Sequence, residues 1–344
     1  MKVNIVDIRC TVNNNNNPVG HEKKAIRQAV RLLECEKEVT VGKFYNGSVD
    51  GCKVKNNVFC IKVSDNIFVK YIKLIINSYI VIKKNRADVI WFVLIEEVML
   101  WILLLMPKKS KYIITTYIDW EQKFSEQSNY SHTKIRWTLF RKALKKIDLV
   151  ISTNAHFQLK DKQINIPDFY LEPQYKRYIY AYKQGVVCVG VMNRNKGILE
   201  IAKAFGNSNI KIVISGYFTD EEYFKNVKQF ENDNVIINNV ILDYDEYMQI
   251  IGNAKYVIMP YSNSSHKYRT SGVLQETIAL NSIPVAFPEF LEYNSVEGIA
   301  FEKYEDIPLK IEEYELRNEP VHNNWKEFDY DCIKAKLKEK IFFF

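Results

Sequence analysis

Between residues 186 and 287 the chain alternates short apolar runs with amphipathic stretches, and this rhythm restricts the fold more than any other feature. The runs are VVCVGVM (186–192), KIVISGYF (211–218), VIINNVIL (235–242), YVIMPY (256–261) and IPVAF (283–287). Between them lie KGILEIAKAF (196–205), DEEYFKNVKQFEN (220–232), YDEYMQIIGNA (244–254) and a helical pattern running from Ser271 to about Asn281. A strand without polar alternation must be covered on both faces, and helices with one apolar face supply that cover. The expected product is an α/β domain with a doubly wound parallel sheet.

The first half shows a looser version of the same order. VNIVDI, the helix KKAIRQAVRLLE (23–34), DVIWFV (88–93), YIITTY (112–117) and DLVIST (148–153) fit a second such sheet. At 344 residues and 47% hydrophobic content, two domains of ordinary size are expected rather than one core. The segment 164–185, with two prolines and poor periodicity, is the expected hinge. The reading is a first domain at 1–172, a second at 183–325, and a terminal helix within 326–344 packing back on the first. Doubly wound domains take ligands at the carboxyl ends of their strands, so a cleft between the two domains is expected.

The opening residues MKVNIVDI lack the pattern of a secretory leader and read as a strand, so a cytoplasmic location is expected. The six cysteines form no C-x-x-C pair, which argues against zinc and a disulfide framework; they read as reduced core thiols. The apolar stretch 89–107 is long enough to span a bilayer, but Glu96 and Glu97 fall in its middle. Each would cost roughly 2.5 kcal/mol or more in hydrocarbon, so a buried strand running into a buried helix is expected instead. Residues 1–175 hold 28 basic and 17 acidic residues (+11), and residues 176–344 hold 20 and 24 (−4). Within the basic half, KIRWTLFRKALKKI (134–147) carries six basic residues and no acid, with Ile135, Leu139, Leu144 and Ile147 between them. It reads either as a solvated helix face or as a surface resting on anionic lipid at the inner face of the cell membrane. No recognition motif accompanies the charge, so nucleic acid is not an expected partner.

The segment HKYRTSGVLQET (266–277) stands where a strand gives way to a helix. A helix starting at Ser271 offers backbone N–H groups and the positive end of its dipole, and Gly272 permits close approach of a ligand. His266, Lys267 and Arg269 add positive charge, and Thr270 or Ser271 can cap the helix or donate to an oxygen. An ordinary N-cap with solvated basic neighbours is the competing reading; phosphate is the sharper one. GVMNRNKG (190–197) places Arg194 and Lys196 in an equivalent turn of the same sheet, and two such turns match the two charges of a diphosphate.

The second half resembles the nucleotide-sugar domain of the GT-B glycosyltransferases, most closely the family 4-like group. VGVMNRNKGILEIAKAF stands where that group carries G-R-x-x-x-x-K-G-x-x-x-x-x-x-A-F, with Lys196 and Gly197 matching directly and Val191 in place of the usual arginine. NVIINNVILDYDEYMQIIGNAKYVIMPYSN and SGVLQETIALNSIPVAF resemble the group's next two segments, in the same order. Glu276 matches the second of its two glutamates, and Tyr268 stands at the place of the first. The resemblance covers about 130 residues; over the first half it is architectural only.

The resemblance implies a GT-B fold of two Rossmann-like domains facing a central cleft. It implies transfer of a sugar from a nucleoside diphosphate sugar to a hydroxyl of a glycan or lipid-linked acceptor, in polysaccharide or glycolipid assembly. Arg194, Lys196, Gly197, Arg269, Thr270, Ser271 and Gly272 would hold the donor diphosphate, and Glu276 the ribose hydroxyls. No cofactor is expected, and no metal, since no D-x-D carboxylate pair is read at a strand end and side chains with helix N–H groups would meet the charge. Retention of configuration is expected, as in family 4-like members. His21, in PVGHEKKAI, resembles the catalytic "GH" of some inverting GT-B families, and Asp119, in TTYIDWEQ, is the other acceptor-side candidate. Two alternatives stay open: a sugar-nucleotide epimerase of the same architecture, and a catalytically degenerate scaffold or partner subunit, suggested by Val191 and Tyr268.

Overall fold

The computed structural model of the chain describes all residues except 14, 15, 17–21, 44–48, 128–130, 158, 160, 161, 262–269, 318, 319, 343 and 344. Two compact units emerge, Met1–Asp168 with Lys334–Phe344, and Phe169–Ile333.

The first unit contains strands β1 (Lys2–Val6), β2 (Thr11–Val12), β3 (Glu36–Gly42), β4 (Lys53–Val58), β5 (Ile61–Lys62), β6 (Val89–Phe92), β7 (Lys111–Thr116), β8 (Leu149–Ser152) and β9 (Gln163–Asn165). Its helices are α1 (Glu22–Leu32), α2 (Ile67–Lys84), α3 (Glu97–Leu105), α4 (Trp120–Glu126) and α5 (Ser131–Leu144). Seven strands form a parallel sheet in the order β4-β3-β1-β6-β7-β8-β9, and β2 pairs with β5 in a small parallel ribbon. All four residues of β6 and of β8 are buried, as strands covered on both faces require.

The apolar stretch 89–107 is divided between β6 and α3. Glu97 opens α3, where the helix dipole favours an anion, and its side chain is buried in an ion pair with Arg136 of α5. Among the described residues, no helix is long and apolar enough to cross a membrane.

In residues 134–147 Lys134, Arg141, Lys142 and Lys145 are exposed, but most of the apolar residues between them are not. Only Ile135 is exposed; Leu139 is half-buried, and Leu144 and Ile147 are buried in the unit's own core. Arg136 turns to Glu97, and Lys146 Nζ donates to the Met106 carbonyl at 3.0 Å. The apolar face of α5 is already used for packing. The cysteines are all free thiols, but only Cys10, Cys52 and Cys188 are buried, and Cys332 is exposed.

The second unit contains β10 (Val186–Met192), β11 (Ile212–Phe218), β12 (Val235–Asn239), β13 (Tyr256–Met259), β14 (Ile283–Ala286) and β15 (Ile299–Ala300). Its helices are α6 (Ile198–Gly206), α7 (Glu221–Lys228), α8 (Tyr244–Asn253), α9 (Gly272–Ala279), α10 (Pro288–Asn294) and α11 (Ile307–Arg317). The sheet is parallel throughout, in the order β12-β11-β10-β13-β14-β15. Successive residues of β10 feed two cores: Val186 and Cys188 pack with α6, α7 and α11, whereas Val187 and Val189 pack with α8 and α9. This is the period-two alternation of a strand in a sheet covered on both sides. Phe169, Leu171 and Tyr178 join the second of these cores, so the segment after Asp168 belongs to this unit.

Three helices start on side-chain caps: Asp220, Asp243 and Ser271 accept the backbone N–H of Tyr223, Glu246 and Leu274 at 2.9, 2.8 and 3.3 Å. Where β10 pairs with β11, Gly190 lies opposite Gly216, and a Cβ on Gly216 would sit 1.8 Å from the Gly190 carbonyl oxygen. A last helix, α12 (Tyr330–Phe342), leaves this unit; from Lys334 its residues belong to the first, where Lys334 pairs with Glu34 at 2.5 Å.

Candidate functional site

In the second unit the chain steps outward from β10 through β11 to β12, then crosses to β13 on the other side of β10 and steps away through β14 to β15. The direction of winding reverses between β10 and β13. In an open parallel sheet the carboxyl ends of two such strands leave a crevice, because their following loops depart in opposite directions.

At the end of β10, Asn193 caps a turn, Arg194–Lys196, through its side chain, which accepts from Asn195 N at 3.1 Å. Gly197 follows with φ 60° and ψ 25°, a left-handed conformation that turns the chain into α6. The ring of Tyr304 lies directly against it: a Cβ on Gly197 would be 2.2 Å from the Tyr304 Cζ. The same tyrosine donates to the Pro260 carbonyl, just beyond β13, at 3.4 Å.

Lys196 also joins the two strand ends. Its Nζ donates to the Val191 carbonyl at 2.6 Å and lies 5.2 Å from the centre of the Tyr261 ring. Burial holds its pKa below the ordinary lysine value. Tyr261 is buried, its phenol pushed well above the ordinary range by desolvation, and it hydrogen-bonds Ser271 at the start of α9. Lys196 is thus linked through the buried Tyr261 to Ser271 at the start of α9, where Gly272 is partly exposed. This link pairs an ammonium with a helix N-terminus, an arrangement suited to anionic oxygens.

Glu276 lies one turn further along α9. Its carboxylate accepts from the Tyr247 hydroxyl at 2.7 Å and is 4% exposed. The Tyr247 phenol is raised well above its usual pKa, first by burial and then by the Glu276 charge, so it stays a donor. Glu276 is thus more enclosed than its place near a helix start suggests. Tyr247, Tyr261 and Tyr304 were not singled out in the sequence. The one available signal was Tyr261, an aromatic closing an apolar strand.

Several expected residues lie elsewhere. Arg194 turns away from Lys196: Nε pairs with Asp220 at 2.8 Å, an Nη lies 3.6 Å from Glu222, and the guanidinium rests over Tyr223. Hydrogen bonding to Asp220 raises its pKa further. Asp119 is the N-cap of α4, accepting Gln122 N at 2.9 Å. His21 and Arg269, with His266 and Lys267, lie outside the described residues, and Thr270 is partly buried just before the cap. A D-x-D spacing does occur after β12, at Asp243 and Asp245. Asp243 caps α8, and Asp245 accepts from the Tyr178 hydroxyl at 3.0 Å and from Arg177 at 3.3 Å.

No protein-family model and no curated protein sequence matches the chain. Solved structures do. HepE from Anabaena, solved with UDP, superposes over 100% of both chains with a TM-score of 0.64 at 12% identity. AviGT4, a glycosyltransferase of avilamycin A biosynthesis, matches over 98% of this chain and 96% of its own, with a TM-score of 0.59 at 13% identity. The fold is GT-B. The UDP-GlcNAc 2-epimerase of Methanocaldococcus jannaschii matches equally well, over 100% of both chains with a TM-score of 0.60 at 12% identity. The GT-B architecture thus accommodates both sugar transfer and epimerisation among these neighbours, and at such identities the likeness reaches no further than the fold.

Proposed function

We propose that the chain is a glycosyltransferase that moves a sugar from a nucleoside diphosphate sugar to an acceptor hydroxyl. The observation that carries this reading is the joining of Lys196 and the α9 N-terminus at the winding reversal of the second unit, with Glu276 one turn away. A diphosphate leaving group gains charge as the glycosidic bond breaks. Donors fixed in advance, Lys196 and the Ser271–Gly272 turn, would stabilise it without reorganisation, and Arg269 would add its charge. Glu276, held by Tyr247, would accept hydrogen bonds from ribose hydroxyls. The family 4-like resemblance favours retention, and a glycan or lipid-linked acceptor fits the basic first half.

Calorimetric titration with UDP, GDP, ADP and CDP tests the donor site. One of them should bind, and Lys196→Ala and Arg269→Ala should each weaken it about tenfold or more, the loss of a charge-assisted contact of roughly 1.5 to 3 kcal/mol. Glu276→Gln should impair donor use at subsaturating concentration with the fold retained. Absence of binding by all four nucleotides supports the scaffold reading instead. Conversion of the matching nucleotide sugar to its epimer without any acceptor supports the epimerase.

A further inference from the structure

Helix α2 carries apolar residues on its exposed side and buries two polar ones. Its buried residues are Leu74, Asn77, Ser78, Val81 and Ile82, the spacing of one helix face, and two of the five are polar. Both polar side chains are satisfied internally. Asn77 Nδ2 donates to the carbonyls of Ile8 and Phe59 at 2.9 Å, its Oδ1 accepts from Phe59 N at 2.8 Å, and Ser78 Oγ donates to the Leu74 carbonyl at 2.8 Å. On the opposite side Phe68, Ile72, Ile76 and Tyr79 are 77%, 57%, 40% and 38% exposed. They recur at i, i+4, i+8 and i+11, so they form one stripe about 17 Å long. Scattered apolar residues on a surface need no explanation, but a continuous stripe on a helix that buries its polar residues does.

The charge around the stripe selects what covers it. Residues 67–84 contain Lys70, Lys73, Lys83 and Lys84 and no acidic residue. Lys73 turns back to Asp65 at 2.7 Å. At the other end of the helix, Lys83 Nζ donates to the Tyr79 hydroxyl at 2.9 Å and lies 5.2 Å from its ring, beside exposed Lys84. A second copy of this face brings no acidic residue of α2 to meet these lysines. A bilayer with anionic headgroups receives them favourably while its acyl region takes the apolar stripe.

We propose that α2 lies in the interface of an anionic membrane, with Phe68, Ile72 and Ile76 among the acyl chains and Lys83 and Lys84 on lipid phosphates. The first unit is thereby attached without a spanning segment, and the attachment is independent of the nucleotide chemistry of the second unit. Cosedimentation of the full chain with vesicles tests it. The protein should bind phosphatidylcholine vesicles containing phosphatidylglycerol far better than phosphatidylcholine alone. Phe68→Asp with Ile72→Asp should lower that binding at least about tenfold at unchanged melting temperature, since both residues are exposed. Lys83→Gln with Lys84→Gln should weaken it and flatten its salt dependence, and Ile135→Asp on α5 should leave it unchanged. The proposal is overturned if the parent stays in the supernatant with anionic vesicles at low salt, or if the double aspartate variant binds as the parent does. It is equally overturned if sedimentation equilibrium shows a vesicle-indifferent dimer that the same variant dissociates.

Discussion

Replacing Gly197 by alanine tests whether the turn after β10 is held by its neighbour or merely tolerates it. Two separate costs arise at this position. Alanine in a left-handed conformation costs about 1 to 2 kcal/mol, because its Cβ crowds its own carbonyl. The new methyl would also begin 2.2 Å from the Tyr304 Cζ, so the ring must move, and overpacking of this kind costs about 1 to 3 kcal/mol. Tyr304 cannot swing away cheaply, because its ring meets Phe287 at 5.5 Å and Phe301 at 5.7 Å between centroids. The sum is about 3 kcal/mol, which for a unit of this size lowers the melting temperature by roughly 6 to 12 °C. Scanning calorimetry of the parent, Gly197→Ala, Tyr304→Ala and the double variant separates the two costs. The clash disappears when the ring is absent, so the double variant should recover about 1 to 2 kcal/mol relative to the sum of the singles. Strict additivity would falsify the contact argument, and a Gly197→Ala melting temperature within about 2 °C of the parent would refute both costs.

Tyr247→Phe removes the hydroxyl donor of a buried carboxylate, Glu276, and should destabilise the second unit by about 1.5 to 3 kcal/mol in urea titrations; an unchanged midpoint would mean that another donor suffices. Arg136→Ala leaves Glu97 buried without its cation and should cost about 3 to 5 kcal/mol, whereas Glu97→Leu with Arg136→Met should recover most of it; the comparison is again made by urea unfolding. Lys183, whose Nζ donates to the Gly252 carbonyl and to Ser282 Oγ at 3.1 Å, is pulled by burial from 10.5 to about 8. Between these values the unfolded chain holds a proton that the folded chain has released, so this lysine's contribution to stability rises with pH from about 8 toward 10.5. The gap in urea midpoint between parent and Lys183→Met should therefore shift in the parent's favour from pH 7 to pH 9.5, and a constant gap would contradict the burial effect.

The second unit was legible because each of its signals is local. Strands buried on both faces are written almost wholly in Val and Ile, and Asp220, Asp243 and Ser271 mark helix starts by a bond that spans three residues. The first unit hides β3, β4 and α2. KVKNNV forms β4 at the sheet edge, with mostly exposed or half-buried residues and none of the apolar continuity of a central strand. In IFVKYIKLIINSYIVIKK apolar residues fall on every side, so no stripe stands out, and the inward turn of Asn77 depends on carbonyls at Ile8 and Phe59. The site divides on the same principle. The Ser271 cap and the Gly197 turn could be read from neighbouring residues. The diversion of Arg194 could not, because Asp220 and Glu222 approach it only once β11 lies beside β10.

The Glu97–Arg136 pair also sets a schedule. The two residues are 39 positions apart, and a ribosome adding about 5 to 20 residues per second separates their emergence by roughly 2 to 8 seconds. Throughout that interval EVMLWILLL, the sequence of α3, is outside or leaving the exit tunnel with an acid at its head and no cation to neutralise it in a packed core. Burying that carboxylate as an ion before α5 is made would cost several kcal/mol. The same residue that joins the core of the finished unit thus raises the cost of burying its most apolar helix before Arg136 is made.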